Sequence, residues 1–119
     1  YYMQVNAEGT RNVVRAALTE GVERLVHCST NGVHSHIEDP PADENAPFNP
    51  SDIYQVSKLA AEKIVSQAIK KEHLRASILR PAMIWGEGDT RFLKMFRGLS
   101  KRRFPMFGDG MALTHWIYI

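Results

Sequence analysis

The hydrophobic positions of this chain change spacing several times, and each change predicts a new element of secondary structure. From about Met3 to Glu20 the spacing is helical, and Gly21 follows as a left-handed stop. Residues 24–29 form a short apolar run, which indicates a buried strand directly after that helix. The residues that share the predicted inner face of the helix are Gly9, Val13, Ala16 and Ala17.

A second helix and a second strand follow in the same order. Apolar spacing predicts a helix from about Asp52 to Lys71, with Ser51 as its N-cap. Residues 75–80 predict another buried strand, and Pro81 ends it. The remaining predicted elements are a short helix near residues 90–98 and a final strand at 115–119. Helices that alternate with strands indicate an α/β fold, with a parallel sheet and helices on its faces.

The segment between the first strand and the second helix has no regular pattern. Residues 30–50 contain Pro40, Pro41, Pro47 and Pro50, which disfavour regular structure. The acidic side chains of the same segment favour contact with solvent. A loop of this length in a compact domain is usually functional. We therefore predict a functional loop here.

Composition and charge narrow the class of protein. A chain of 119 residues with 44% hydrophobic and 24% charged residues suits one soluble domain. The net charge of +2 is too small to argue for nucleic acid or an acidic membrane surface as a partner, and neither is expected. The single cysteine, Cys28, excludes an internal disulfide and suits a reducing compartment, so a cytoplasmic location is expected. No apolar run approaches the about 20 residues that span a bilayer.

The most informative chemical pattern lies in the second predicted helix, at Tyr54-Gln55-Val56-Ser57-Lys58. Residues four apart share one helix face, so the tyrosine hydroxyl and the lysine ammonium lie together. A nearby ammonium makes a tyrosine a usable proton donor and acceptor, and such a pair suits a site beside a redox cofactor. The same spacing also occurs by chance, with a half-buried tyrosine and a solvated lysine.

Further residues, in the same order, resemble the extended short-chain dehydrogenase/reductases, which are the NAD-dependent epimerase/dehydratase enzymes. The matching motifs are Asn6-x-x-Gly9-Thr10, Ser29-Thr30, Tyr54-x-x-Ser57-Lys58 and Arg80-Pro81. The resemblance implies a Rossmann-like parallel sheet with flanking helices. It also implies an enzyme that uses NAD or NADP to move a hydride to or from a secondary alcohol or ketone. A nucleotide sugar is the implied substrate.

The resemblance also implies roles for individual residues. Tyr54 would be the general acid/base, Lys58 would support it and bind the nicotinamide ribose, and Thr30 would hold the reacting oxygen. The implied cofactor-binding residues are Asn6, Ser29, Tyr54, Lys58, Pro81 and Ala82. The implied substrate-binding residues are Thr30, Asn31, His34 and Arg91.

Plainer roles stay open for several of these residues. Ser29 and Thr30 can simply end a strand, Asn6 can begin a helix, and Arg80-Pro81 can stop a strand. His34-x-His36 has metal-ligand spacing but lacks a convincing third ligand, so no metal is expected.

The chain departs from the family at one position near the implied substrate. The family commonly reads Val-Tyr-Gly where this chain reads Val33-His34-Ser35, so the substrate class stays open. A 3β-hydroxysteroid dehydrogenase-like enzyme and a non-catalytic NAD(P)-binding regulatory module are the alternatives. Because Tyr54 and Lys58 are both present, an enzyme is favoured. By analogy with relatives, a homodimer is expected.

The glycine-rich GxxGxxG turn of the family does not occur in this sequence, and the family places it upstream of Tyr1. We therefore expect 1–119 to be the central part of one NAD(P)-binding Rossmann-type domain that lacks its N-terminal dinucleotide-binding half. Residues of about 82–114 would belong to the start of the substrate-binding region. Alone, the segment is expected to bind dinucleotide poorly and to be inactive.

Overall fold

The computed structural model describes residues 1–38, 41–105, 108–111 and 115–119. The chain divides into two compact units, Tyr1–Pro81 and Ala82–Ile119. The first unit contains a π-helical segment Met3–Glu8, α1 Gly9–Thr19, β1 Leu25–Cys28, a 3₁₀ turn Asn31–Val33, α2 Ile53–Glu72 and β2 Ala76–Leu79. The second unit contains β3 Met83–Trp85, α3 Leu93–Ser100 and β4 Trp116–Tyr118. The predicted α/β class is confirmed. The assignment of the second unit to substrate binding stays a prediction.

The first helix lies where the sequence predicts it, but its inner face was predicted correctly only in part. Val13 is 54% exposed and Ala16 is also exposed, whereas Val14 and Ala17 are buried. The sequence carries two apolar stripes one residue apart, and periodicity alone does not choose between them. Packing against α2 selects the stripe of Val14 and Ala17, which joins Val65, Ala68 and Leu74 in the core.

The two strands of the first unit pair in parallel, as the alternation of elements predicts. Leu25 lies opposite Ala76 and Cys28 opposite Leu79, and each strand is two residues shorter than predicted. Backbone bonds continue past the strands, from Ser29 N–H to the Leu79 carbonyl at 2.7 Å. The Asn31 N–H then donates to the Pro81 carbonyl at 3.1 Å. The residues after β1 and after β2 are therefore held side by side at one edge of the sheet.

The N-cap of α2 is Asp52, so the prediction of Ser51 was wrong. The Asp52 carboxylate accepts a hydrogen bond from the Gln55 N–H at 2.8 Å. The Gln55 side chain in turn accepts from the Ser51 N–H at 2.7 Å, which is a shifted form of the capping box. These bonds fix the first turn of α2, the turn that contains Tyr54.

The second unit is built from two short strands and one helix. β3 and β4 are parallel, with Met83 opposite Trp116. β4 and α3 correspond to predicted elements, whereas β3 was missed because three residues carry too little pattern. Gly86 directly follows β3 and lies against the backbone of Ile119. A Cβ added at Gly86 would collide with the Ile119 carbonyl oxygen.

Replacing Gly86 with alanine should destabilise the second unit by about 1–3 kcal/mol, because one backbone segment must move to admit the methyl group. Both tryptophans, Trp85 and Trp116, lie in this unit, so their fluorescence during urea unfolding measures the change. Gly98→Ala is the control, since its Cβ makes an ordinary contact of 3.4 Å with Phe104. An unchanged midpoint for Gly86→Ala would contradict the predicted collision.

Candidate active site

Thr30 leaves β1 at the edge where the two parallel strands end. Its hydroxyl caps the 3₁₀ turn by accepting a hydrogen bond from the Gly32 N–H at 3.2 Å. A Cβ on Gly32 would lie 3.4 Å from both the Thr30 hydroxyl and the Gln55 side chain. The Thr30 hydroxyl therefore lies next to the first turn of α2, whose other residues include Tyr54.

Lys58 connects α2 to the end of β1. Its ammonium donates a hydrogen bond to the Cys28 carbonyl at 2.5 Å. Tyr54 lies one turn earlier on the helix and is 41% exposed, with its ring packed edge-on against Tyr2 at 5.9 Å. The structure thus places the lysine charge at the same end of the sheet as Thr30, with Tyr54 one turn away from Lys58 on α2.

Asn6, predicted to bind cofactor, is bonded to the helix that carries Tyr54 and Lys58. Its side-chain amide donates to the Ser57 hydroxyl at 2.9 Å. The Ser57 hydroxyl donates in turn to the Tyr54 carbonyl at 2.7 Å, and Ser57 is fully buried. Ser57 had no predicted role beyond its place in the motif. Its position links the N-terminal π-helical segment to the backbone of the tyrosine.

An ion pair that sequence reasoning missed lies one turn beyond Lys58. Glu62 is only 2% exposed and meets the Arg80 guanidinium at 2.8 Å. Burial opposes ionisation of Glu62, but the hydrogen bonds and the charge of Arg80, helped by the nearby Ser29 hydroxyl, hold its pKa below the ordinary 4.5. The same hydrogen bond raises the pKa of Arg80. The pair is therefore ionised at neutral pH.

Ser29, predicted to bind cofactor, faces this ion pair. It is 4% exposed, and its hydroxyl has no partner of standard hydrogen-bond geometry among the described residues. It is nevertheless close enough to the Glu62 carboxylate to help lower that pKa. His27, two residues earlier, has its pKa lowered by burial and by the Lys58 charge, against the opposing charge of Glu62. His27 is therefore neutral at neutral pH.

His34, predicted to bind substrate, is 6% exposed, and both of its ring nitrogens lie against other protein groups. Nε2 lies 3.2 Å from the Arg80 guanidinium, and Nδ1 lies 3.2 Å from the Pro47 carbonyl. The ring stacks on Phe48 at 5.3 Å. The structure thus places the polar atoms of His34 inside the protein, and its role at the substrate stays untested.

Two predicted site residues, Ala82 and Arg91, belong to the second unit. Arg91 pairs with Asp89 at 2.7 Å and donates to the Ile84 carbonyl at 2.8 Å. The Arg91 side chain hydrogen-bonds Asp89 and lowers the pKa of that carboxyl. The cofactor role of Ala82 and the substrate role of Arg91 stay predictions.

Other features of the described residues point to no second centre. Among the residues that the structure describes, no group of three or more His, Cys, Asp or Glu could hold a metal ion. In the same ranges, no helix is both long enough and apolar enough to cross a bilayer. A groove of about 280 Å³, lined by Val22 and Arg75 among others, lies at the N-terminal ends of β1 and β2. It is therefore at the opposite end of the strands from Thr30.

Known proteins match this chain along its whole length. The family model for the NAD dependent epimerase/dehydratase family matches residues 1–119. A sterol-4-alpha-carboxylate 3-dehydrogenase (decarboxylating) of Candida albicans is 35% identical over 99% of this chain and 35% of its own length. An N-acetyl-alpha-D-glucosaminyl-diphospho-ditrans,octacis-undecaprenol 4-epimerase of Escherichia coli is 31% identical over 99% of this chain and 36% of its own.

Solved structures agree with this fold. A dTDP-glucose 4,6-dehydratase from Streptomyces venezuelae, solved with NAD bound, superposes with a TM-score of 0.79 and 26% identity. The match covers 98% of this chain and 37% of that one. A UDP-N-acetylglucosamine 4-epimerase from Methanobrevibacter ruminantium has a TM-score of 0.80 at 20% identity, over 97% and 40% of the two chains, and shows the fold alone. The chain thus spans about a third of the length of the curated relatives it matches.

Replacing Glu62 with glutamine should lower the free energy of unfolding by about 1–3 kcal/mol at neutral pH, because Arg80 loses its charged acceptor. The pKa of Glu62 is depressed in the folded state, so its stabilisation is complete above the unfolded value of 4.5. It is lost as the pH falls through the folded value. Urea unfolding in a descending pH series measures the gap between the two proteins.

Glu8→Gln is the matched control for this series. Glu8 pairs with Arg11 at 3.1 Å, but both side chains are about half exposed, so the cost should stay below about 0.5 kcal/mol. A gap between wild type and Glu62→Gln that stayed constant down to acid pH would contradict the assigned ion pair.

Proposed function

Since this chain belongs to the NAD-dependent epimerase/dehydratase family, we propose that it forms the central part of a longer enzyme with a Ser/Thr-Tyr-Lys mechanism. The observation that carries the proposal is the position of Lys58. Its ammonium is bonded to the last residue of β1, directly before Ser29 and Thr30. In open α/β sheets, ligands bind at this carboxyl end of the strands. A lysine, a tyrosine and a threonine hydroxyl there form an acid/base set.

The residues of this edge suit a nicotinamide dinucleotide. The Cys28 carbonyl takes one of the three ammonium protons of Lys58, so the ammonium is oriented to offer its other protons to ribose hydroxyls. The Ser29 hydroxyl is buried near Glu62 of α2, and the Asn6 amide bonds Ser57 of the same helix. When bound, NAD or NADP supplies the hydride acceptor or donor.

In the proposed reaction, Tyr54 handles the proton that accompanies hydride transfer. Its oxygen takes the proton of a substrate hydroxyl as the carbon is oxidised, and returns it on reduction. Lys58 stabilises the tyrosine anion through its charge, and Thr30 holds the reacting oxygen by a hydrogen bond. The buried Glu62–Arg80 pair neutralises itself, so it leaves the charge of Lys58 to act at the site.

We propose a nucleotide sugar as the substrate, and a 3β-hydroxysteroid as the second candidate. The similar proteins support both, since they include a dTDP-glucose 4,6-dehydratase and a sterol dehydrogenase. A non-catalytic module is disfavoured because Tyr54 and Lys58 are both present. A homodimer and a cytoplasmic location, the latter from the free Cys28, complete the proposal.

A substrate panel tests this proposal in the full-length enzyme. Oxidised NAD or NADP is added to nucleotide sugars and to steroid alcohols, and nicotinamide absorbance is followed alongside product. Stoichiometric reduced cofactor identifies a dehydrogenase. Conversion without net reduced cofactor identifies an epimerase or a dehydratase that returns its hydride. No conversion with either substrate class would exclude both candidates.

Tyr54→Phe in the full-length enzyme should reduce turnover by at least about 100-fold, because the acid/base group is lost. Cofactor binding, measured by fluorescence titration, should be retained. Tyr2→Phe is the control, since Tyr2 contacts the Tyr54 ring without a proposed role in proton transfer. Unchanged turnover in Tyr54→Phe would refute the mechanism.

Lys58→Met should weaken cofactor binding by about tenfold or more and slow the reaction as well, because a charged donor is worth about 1.5–3 kcal/mol. Isothermal titration calorimetry with the dinucleotide and steady-state kinetics give the two values. Lys63→Met, on the exposed side of the same helix, is the matched control. Loss of rate with unaltered cofactor affinity would exclude the ribose contact.

A further inference from the structure

Arg80 contacts three different parts of the first unit. On one side, its Nε and Nη2 atoms donate to the Glu62 carboxylate of α2 at 2.8–3.2 Å. On the other side, its Nη1 atom lies 2.8 Å from the Glu44 carbonyl and 3.2 Å from the His34 ring. Its guanidinium also covers the Phe48 ring at 5.0 Å. Arg80 itself is the residue that follows β2.

The contacts of His34 fix which of its nitrogens carries the proton. A guanidinium has only donors, so the His34 Nε2 atom facing Arg80 must be the acceptor. The proton therefore lies on Nδ1 and is donated to the Pro47 carbonyl. In this tautomer both nitrogens are satisfied within the protein. His34 thereby completes the hydrogen bonding of Arg80.

We propose that Arg80 is a positioning residue that fixes the segments 30–34 and 44–48 on α2, with His34 as its acceptor instead of a substrate contact. Each element that Arg80 joins carries or adjoins a proposed site residue. Segment 30–34 contains Thr30 and Asn31, α2 carries Lys58 one turn before Glu62, and Pro81 follows Arg80 directly. The effect of Arg80 on catalysis rests on the proposed function, whereas its effect on the order of these segments does not.

Only an arginine can make this set of contacts. Its planar fork presents donors on two sides, so one side can hold a carboxylate while the other holds a ring nitrogen and a carbonyl. A lysine has one ammonium, which can meet Glu62 but cannot also span to His34 and Glu44. Arg80→Lys therefore keeps the charge next to Glu62 and removes the connection to the loop.

Hydrogen exchange in the full-length protein tests this positioning without any activity measurement. In Arg80→Lys, the Asn49 amide, which bonds the Val33 carbonyl at 3.0 Å, should exchange at least about tenfold faster. Amides in the middle of α2 should keep their protection. Arg75→Lys, at the exposed opposite end of β2, should leave Asn49 unchanged. Unaltered exchange at Asn49 in Arg80→Lys would overturn the proposal.

The role of His34 is tested by a double-mutant cycle on KM. His34→Leu should raise the substrate KM by about tenfold while the cofactor affinity is retained. His34→Gln keeps an acceptor, so its substrate KM should stay close to that of the wild type. If His34 acts through Arg80, adding His34→Leu to Arg80→Lys should raise KM little further. Additive effects would overturn the assignment and make His34 an independent substrate contact. If Tyr54→Phe retained turnover, the proposed function would fail while the exchange result still decided the role of Arg80.

Discussion

The close packing of α2 within the first unit is the constraint on which the rest of that unit depends. One stripe of α2 consists of small or medium residues that are buried to 0–1% exposure: Ser57, Ala61, Val65 and Ala68. The first of them bonds Asn6 of the π-helical segment, and the last two join the core with α1. The helix packed in this way carries Lys58 to a β1 carbonyl and Glu62 to Arg80. Larger residues on this stripe would overpack the core and shift the helix.

The ionisable groups near Lys58 on α2 do not cancel its positive charge. Glu62 is buried and neutralised by Arg80, and His27 is kept neutral because burial and the Lys58 charge lower its pKa. Neither group therefore offsets the ammonium of Lys58. The ammonium of Lys58 thus lies at the end of β1, near a neutral histidine and a carboxylate that is already paired. This arrangement suits the role proposed for Tyr54, in which a tyrosine anion forms.

Much of the fold follows from local pattern, and the failures have physical causes. The order of the helices and of β1, β2 and β4 is correct because apolar spacing decides element type over long segments, whereas the three residues of β3 were missed. The inner face of α1 was correct at Ala17 and wrong at Val13, because Val13 and Val14 belong to competing apolar stripes. The N-cap of α2 is Asp52 and not Ser51, because the Asp52 carboxylate bonds the Gln55 amide. Tyr54 and Lys58 were accessible to sequence reasoning because both lie on one helix. The contacts of Arg80 with Glu62 and His34 join residues 18 and 46 positions apart, so only the packed structure brings them together.

The partner of Lys58 is a main-chain carbonyl, and this has a consequence for how the site can evolve. Every amino acid has that oxygen, so residue 28 can drift from cysteine to almost anything while the acceptor stays in place. What selection must preserve is the path of the strand, which the Ser29 amide secures on the Leu79 carbonyl. A proline at position 29 would remove that amide and so move the carbonyl of residue 28, although residues 28 and 58 themselves would be unchanged. Because the contact depends on the backbone, the identity of the side chain at position 28 does not reveal it.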